Sequence, residues 1–195
     1  LDTSRRLLRR INDRVLNGLS PEFLAFDYSR GSRRIFFASA HSLYVVQDGK
    51  PRLLYAGQDG NRIHAILLAD DGRLLIGSND GLRYMGRDQP VRPFGGMAPM
   101  RISALHQSAN GAVWIGTAKH GVYRIAGGAP PQRLALPMPE DRAPWIYDIG
   151  EGAPGEMWFA TFGDGILVYE EPSGTFKPIR KERMLESKLL DNDVW

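Results

Sequence analysis

Apolar residues fall in short runs separated by turn residues, and the runs recur in a fixed order along the chain. Three stretches align without gaps through their first half: IHAILLADDGRLLIGS from Ile63, ISALHQSANGAVWIGT from Ile102 and IYDIGEGAPGEMWFAT from Ile146. Their starts lie 39 and 44 residues apart. A step of 39 back from Ile63 reaches Leu24, where LAFDYSRGSRRIFFAS takes the same frame with Arg33 in place of the turn glycine. The chain therefore holds four copies of one unit, and a period of this size marks a repeat architecture.

Each copy reads as four short strands. A first apolar strand runs into a tight turn at Asp71-Gly72, Asn110-Gly111 or Pro154-Gly155; Asp-Gly and Asn-Gly between apolar runs are strong hairpin signals because both positions tolerate positive φ. The second strand is almost wholly apolar (IFFA, LLIG, VWIG, MWFA), which predicts cover on both faces. A further turn closes on Gly81, Gly121 and Gly165, or Ser42 in the first copy, and leads to a third strand with an aromatic near its end. A fourth, more polar strand follows (PRLLY, VRPF, PQRLAL, TFKPI), as suits an outer edge. Four antiparallel strands in about 40 residues, covered on both faces, describe a propeller blade. Helix pairs do not fit turns that recur this closely, and a sandwich would not repeat its own sequence.

The predicted class is all-β: a β-propeller of four four-stranded antiparallel blades at 23–60, 61–100, 101–144 and 145–188. Residues 1–11 resemble the fourth strand of a blade, and Val194 falls where Ile146 opens its copy. Residues 1–22 are thus expected to end a preceding blade and 189–195 to begin another. On this reading the chain is a fragment of a larger ring, and its first partners are the remaining blades.

The Ile-Gly-Thr/Ser pattern, with a turn glycine before it and Gly then Tyr after it, resembles the two-component-regulator-type β-propeller repeat. It stands as DGRLLIGSNDGLRYM (71–85), NGAVWIGTAKHGVYRI (110–125) and PGEMWFATFGDGILVY (154–169). Gly18-Leu19-Ser20-Pro21 matches the family's usual entry into a blade, and 189–194 is a looser version. The first copy departs from the pattern: it lacks the turn glycine, the Ile-Gly-Thr and the Gly before its third strand. The resemblance implies the periplasmic sensor part of an inner-membrane receptor. Such a receptor binds a small molecule or glycan and passes the signal to a kinase or cyclase absent from this segment; a homodimer of the receptor is also implied. A streptogramin-lyase-like propeller enzyme and a protein-interaction scaffold are the rival readings.

Composition narrows this little. Residues 1–34 carry eight Arg against four acids, while the remaining 161 residues net −1. A basic stripe can draw nucleic acid, yet no nucleic-acid module accompanies it and a solvated outer strand accounts for it, so no nucleic-acid partner is expected. With no Cys there is neither a disulfide nor thiol chemistry. The longest stretch free of charged residues, 102–118, is broken by Ser, Gln, Asn and Gly and cannot span a bilayer.

Catalytic patterns are thin. No HExxH, GxSxG or Walker sequence occurs, and no metal, cofactor or catalytic residue is expected. His106 reads as a structural residue of a first strand and His41 as an exposed loop residue, while Asp70-Asp71 and Glu170-Glu171 read as turns. Ligands of propellers usually meet the links that enter each first strand and the loops between second and third strands. Those positions hold Asn61, Asn79 and Asp80 among others. The residues expected to bind are Arg62, His64, Arg101, Trp145 and Tyr147, with Lys119, His120, Phe162 and Asp164 on the same face. Aromatic rings supply area and polar groups fix orientation, and two arginines favour an anionic or hydroxyl-rich ligand. His64, Ser103 and Tyr147 share one phase of the repeat, as do Arg62, Arg101 and Trp145.

Overall fold

The computed structural model describes residues 22–27, 34–47, 50–58 and 60–179, with the backbone alone for Phe23–Asp27. Its strands form four four-stranded sheets, each antiparallel and in sequence order. Blade 1 comprises β1 (Phe23–Asp27), β2 (Arg34–Ser39), β3 (Ser42–Gln47) and β4 (Lys50–Ala56). Blade 2 comprises β5 (Ile63–Leu68), β6 (Leu74–Ser78), β7 (Gly81–Met85) and β8 (Arg92–Pro93). Blade 3 has β9 (Ile102–Gln107), β10 (Val113–Thr117), β11 (Val122–Ile125) and β12 (Gln132–Arg133). Blade 4 has β13 (Ile146–Glu151), β14 (Glu156–Thr161), β15 (Ile166–Glu170) and β16 (Thr175–Ile179). Helix among the described residues is limited to one 3-10 turn, Glu140–Arg142. None is long and apolar enough to cross a membrane.

First strands of successive blades touch one another, β1 with β5, β5 with β9 and β9 with β13, so they lie innermost and the fourth strands outermost. β8 and β12 shrink to two exposed residues each. Pro93 cannot donate to a ladder, and Phe94 N–H makes the next bond, to Leu82 C=O at 2.9 Å.

The core is three clusters, one at each blade junction. Phe36, Ala38, Leu43 and Val45 meet Ile63, Leu74 and Ile76 between blades 1 and 2. Leu75 and Leu82 meet Ile102, Val113 and Ile115 between blades 2 and 3. Ala104, Trp114 and Val122 meet Ile146, Met157 and Phe159 between blades 3 and 4. Alternate residues of β6 and of β10 therefore belong to different junctions, which is why these two strands are buried at every position. Burying one such side chain contributes roughly 1.5–3 kcal/mol.

The motif glycines permit this approach. A Cβ on Gly77 would lie 2.7 Å from Ile102 Cγ2, and one on Gly116 would lie 2.6 Å from Ile146 Cγ2. The hydroxyl that follows this position, after Gly77, Gly116 and Ala160, is fully buried and satisfied: Ser78, Thr117 and Thr161 donate to the carbonyls of Gly81, Gly121 and Gly165 at 3.0, 2.7 and 2.7 Å. That bond closes the turn into the third strand, which begins beside a glycine with positive φ in all three copies.

The first copy corrects the gap-free frame. Leu24 pairs with Phe37, thirteen residues on, whereas Ile66 pairs with Ile76, Leu105 with Ile115 and Ile149 with Phe159, each ten on. Its first hairpin is three residues longer, so Leu24 takes the place of Ile66 and not that of Ile63. Arg33, and the readings of 1–21 as the end of one blade and 189–195 as the start of the next, lie outside the described residues, as do 180–188.

Candidate functional site

In an antiparallel hairpin the start of the first strand lies beside the end of the second. Asn79 N–H donates to Arg62 C=O at 3.0 Å, Ala118 N–H to Arg101 C=O at 3.0 Å and Phe162 N–H to Trp145 C=O at 3.1 Å. The links into β5, β9 and β13 therefore share one end of the sheets with the loops that leave β6, β10 and β14. Ala118 also bridges to Trp145 of the next blade, joining neighbouring links at that end.

A β-bulge marks the same place in three blades. Ile63 pairs with Ser78 but Ala65 with Gly77; Ile102 pairs with Thr117 but Ala104 with Gly116; Ile146 pairs with Thr161 but Asp148 with Ala160. The residues left over are His64, Ser103 and Tyr147. A bulge re-aims its extra residue and is common beside functional sites. The corrected register of the first copy places Glu22 at this position too, one residue before Phe23, which pairs with Ala38.

These residues form a continuous track across the blades. Arg62 Nη2 donates to Glu22 Oε2 at 2.5 Å. His64 Nε2 lies 2.7 Å from Asn79 Oδ1, and Asn79 Nδ2 donates to Gly60 C=O at 2.6 Å. That second bond fixes the amide, so the imidazole carries its proton on Nε2 and accepts at Nδ1. Arg101 Nη2 lies 3.4 Å from Nδ1 and serves as the donor. The Arg101 guanidinium also sits over the Trp145 ring, 4.3 Å from its centroid. Trp145 stacks on Tyr147 at 5.4 Å and 11°, and Tyr147 meets Phe162 edge-on at 6.1 Å. Phe162 is 50% exposed, one of the few large apolar side chains left open to solvent.

Charge on the track follows from these neighbours. Burial pushes His64 below its ordinary value; the Asn79 hydrogen bond opposes this, the Arg101 and Arg62 guanidinium groups add to it and Glu22 opposes it. Burial also lowers Arg101, helped by Arg62 and opposed by Tyr147. A neutral His64 thus lies between two cations.

The remaining expected residues divide. Lys119 is exposed with φ +70°, at the tip of the β10–β11 loop. His120 folds back on that loop, its Nδ1 3.0 Å from Ala118 C=O and its N–H donating to Thr117 Oγ1 at 3.1 Å. Asp164 lies half-buried in the β14–β15 loop. Asn61 and Asp80 hold the scaffold: Asp80 N–H donates to Asn61 Oδ1 at 3.3 Å, and Asp80 Oδ2 accepts from Arg83 Nη2 at 2.6 Å. His106 faces Glu151 of the next blade at 3.5 Å, away from the track at the far end of the first strands. Most of the longer spacing into the fourth copy is spent on the link after β12, which walls a hollow of about 350 Å³ between Leu134, Leu136, Met138 and Ala143. Arg133 pairs with Glu140 at its edge, 2.6 Å apart. Among the described residues no three His, Asp or Glu side chains gather as they would around a metal ion.

No protein-family model matches the chain, and no curated protein matches it in sequence. Solved structures do resemble it. The extracellular domain of BT4673 from B. thetaiotaomicron, assigned as a hybrid two-component system, superposes with a TM-score of 0.70 at 17% identity, covering 90% of this chain and 24% of that one. Virginiamycin B lyase from Staphylococcus aureus gives a TM-score of 0.68 at 14% identity, covering 85% of this chain and 57% of the lyase. The chain folds as a β-propeller. PorZ, a surface component of the type IX secretion system of Porphyromonas gingivalis, gives 0.66 at 14% identity over 89% of this chain and 28% of that one. The chain thus spans little more than half the lyase and about a quarter of the BT4673 extracellular domain and of PorZ.

Proposed function

We propose that this chain is part of the ligand-sensing propeller of an extracytoplasmic bacterial receptor. It takes a small molecule or glycan at the end where its first strands begin and passes the event to an output domain. One observation carries the reading: the four link and bulge residues of blades 2–4 that combine charge with aromatic area, His64, Arg101, Trp145 and Tyr147, touch one another in a single track. Likeness to the extracellular domains of BT4673 and BT3049, both assigned as hybrid two-component systems, supports a sensory setting at the level of fold. The inner-membrane receptor, its periplasmic location and its pairing as a homodimer belong to the same proposal.

The test is made in the whole receptor, with ligand binding and signalling output measured together. Arg101→Ala and Trp145→Ala are each expected to weaken binding by roughly 1–3 kcal/mol, the loss typical of a charge-assisted or buried contact, and to lower output in step. Wild-type affinity and output in both folded variants would place the ligand elsewhere.

A lyase reading has one observation in its favour, the presence of His64 beside Glu22 and Arg62 at this end. A histidine-to-alanine variant of S. aureus virginiamycin B lyase is catalytically inactive. Incubation with a streptogramin B lactone is expected to leave it unchanged; turnover that disappears in His64→Ala would replace sensing with catalysis.

A further inference from the structure

Five arginines among the described residues are half-buried: Arg34, Arg73, Arg83, Arg101 and Arg124. Four of them meet a carboxylate. Arg34 lies 3.7 Å from Asp88, Arg73 2.6 Å from Asp71, Arg83 2.6 Å from Asp80 and Arg124 3.1 Å from Glu171. Arg101 has no such partner among the described residues. It leans on the Trp145 ring and donates to a neutral imidazole; its Nε, like those of Arg83 and Arg124, is buried with no acceptor, so what sets it apart is the lack of a carboxylate. Glu22, the carboxylate on the track, is taken by Arg62.

A cation drawn partly out of water is stable when an anion or several acceptors replace its hydration. Among the described residues that replacement is present at four positions and lacking at the fifth, on the face proposed above to receive the ligand. We propose that Arg101 anchors the carboxylate of the ligand, and that the ligand is a compact ring bearing one negative charge. The inference rests on the reading of this end as the ligand face and names the chemistry that the face selects.

Charge counting chooses a monoanion. Along the track Glu22 offsets Arg62 and His64 is neutral, so one positive charge is left there, which a single carboxylate balances; Lys119 and Asp164 of the adjoining loops carry opposite formal charges. A phosphate dianion would leave a negative excess in a half-buried setting. Carboxylate geometry also matches the planar fork of a guanidinium. The ring is chosen by what adjoins the cation: Tyr147 and the half-exposed Phe162 continue the track from Trp145, and such rings prefer flat or cyclic partners.

The experiment titrates the full chain with benzoate, benzamide, phenyl phosphate and glucose, following the Arg101 Nε–H and Trp145 indole N–H signals by NMR. Benzoate is expected to shift both signals saturably, with benzamide and phenyl phosphate weaker. Arg101→Gln is expected to lower benzoate affinity about tenfold or more, while Arg101→Lys retains part of it. Circular dichroism melts establish that both variants are folded. In the wild-type chain, added NaCl is expected to weaken benzoate but not benzamide, a readout that needs no variant. Equal binding of benzoate and benzamide, or a salt-independent benzoate affinity, overturns the anion assignment. Should glucose shift the Trp145 signal while benzoate does not, the ligand face stands and the carboxylate falls. If no probe moves either signal, both proposals fail together.

Discussion

Trp114 and Trp158 occupy the same place in successive copies, the third residue before the buried hydroxyl of the second strand, yet one is 0% exposed and the other 39%. Trp114 lies in the junction between blades 3 and 4, edge-on to Phe159 at 5.8 Å and to Tyr169 at 5.3 Å, with its Nε1–H on Ser108 Oγ at 3.1 Å. Arg124 caps it at 5.2 Å and is itself held by Glu171 of blade 4. Trp158 projects from the face of blade 4 turned away from blade 3, and its indole N–H reaches only Glu156 of its own strand, at 3.3 Å. Neighbouring Met157 and Phe159, which point back into the junction, are 2% and 0% exposed. Identical residues at identical positions thus differ because burial comes from the adjoining blade. A blade alone supplies only half of its own core.

The sharpest way to break the comparison is to remove each indole in turn. Trp114→Ala is expected to cost about 3–5 kcal/mol, the range for large aromatics lost from a packed core, whereas Trp158→Ala should cost no more than about 1 kcal/mol. Urea unfolding followed by circular dichroism checks both, and equal losses would mean that the two faces of blade 4 are equally covered. A smaller effect is expected from adding bulk. Gly116→Val forces side-chain atoms into Ile146, so roughly 1–3 kcal/mol should be lost. Ala160→Val, at the matching site of β14, should be tolerated within about 1 kcal/mol, again read as a shift in urea midpoint.

The smallest expected effect concerns the track. His64 titrates below its ordinary value in the folded chain, so protons favour the unfolded form. Its contribution is complete above the unfolded value, about 6.5, and is lost as pH falls from there through the folded value. Melting temperature should therefore decline between pH 7 and pH 5 by more in the native chain than in His64→Gln. Parallel curves would show that His64 is as solvated as a free imidazole.

Much of the fold was legible because blades obey a strict local grammar. The turn signals at Asp71-Gly72 and Asn110-Gly111 located the hairpins, and uninterrupted apolar runs identified the second strands that two junctions share. The first copy misled because a gap-free step assumes a fixed hairpin length. One signal against that frame was present: it sets Asp27 at the position of Ile66, while a shift of three aligns Phe23-Leu24-Ala25-Phe26 with Ala65-Ile66-Leu67-Leu68. Glu22 was missed for the same reason. The phase of His64, Ser103 and Tyr147 was readable, but not that each is the extra residue of a bulge, since a bulge depends on how two strands pair. Nor could the sequence reveal that Trp145 is already engaged by Arg101 and Tyr147. Contacts between copies depend on how blades are set against each other, and spacing within a copy does not encode that.

The close approach of Gly77 to Ile102 and of Gly116 to Ile146 bears on how such a chain grows by duplication. In each case the two halves of one fitted joint come from different blades, the glycine from the earlier and the isoleucine from the later. Blades 2 and 3 each carry both halves, the isoleucine at the head of the first strand and the glycine in the second. A segment cut at the links between blades therefore brings its own isoleucine to the glycine before it and its own glycine to the isoleucine after it, so each new junction is fitted as it is made.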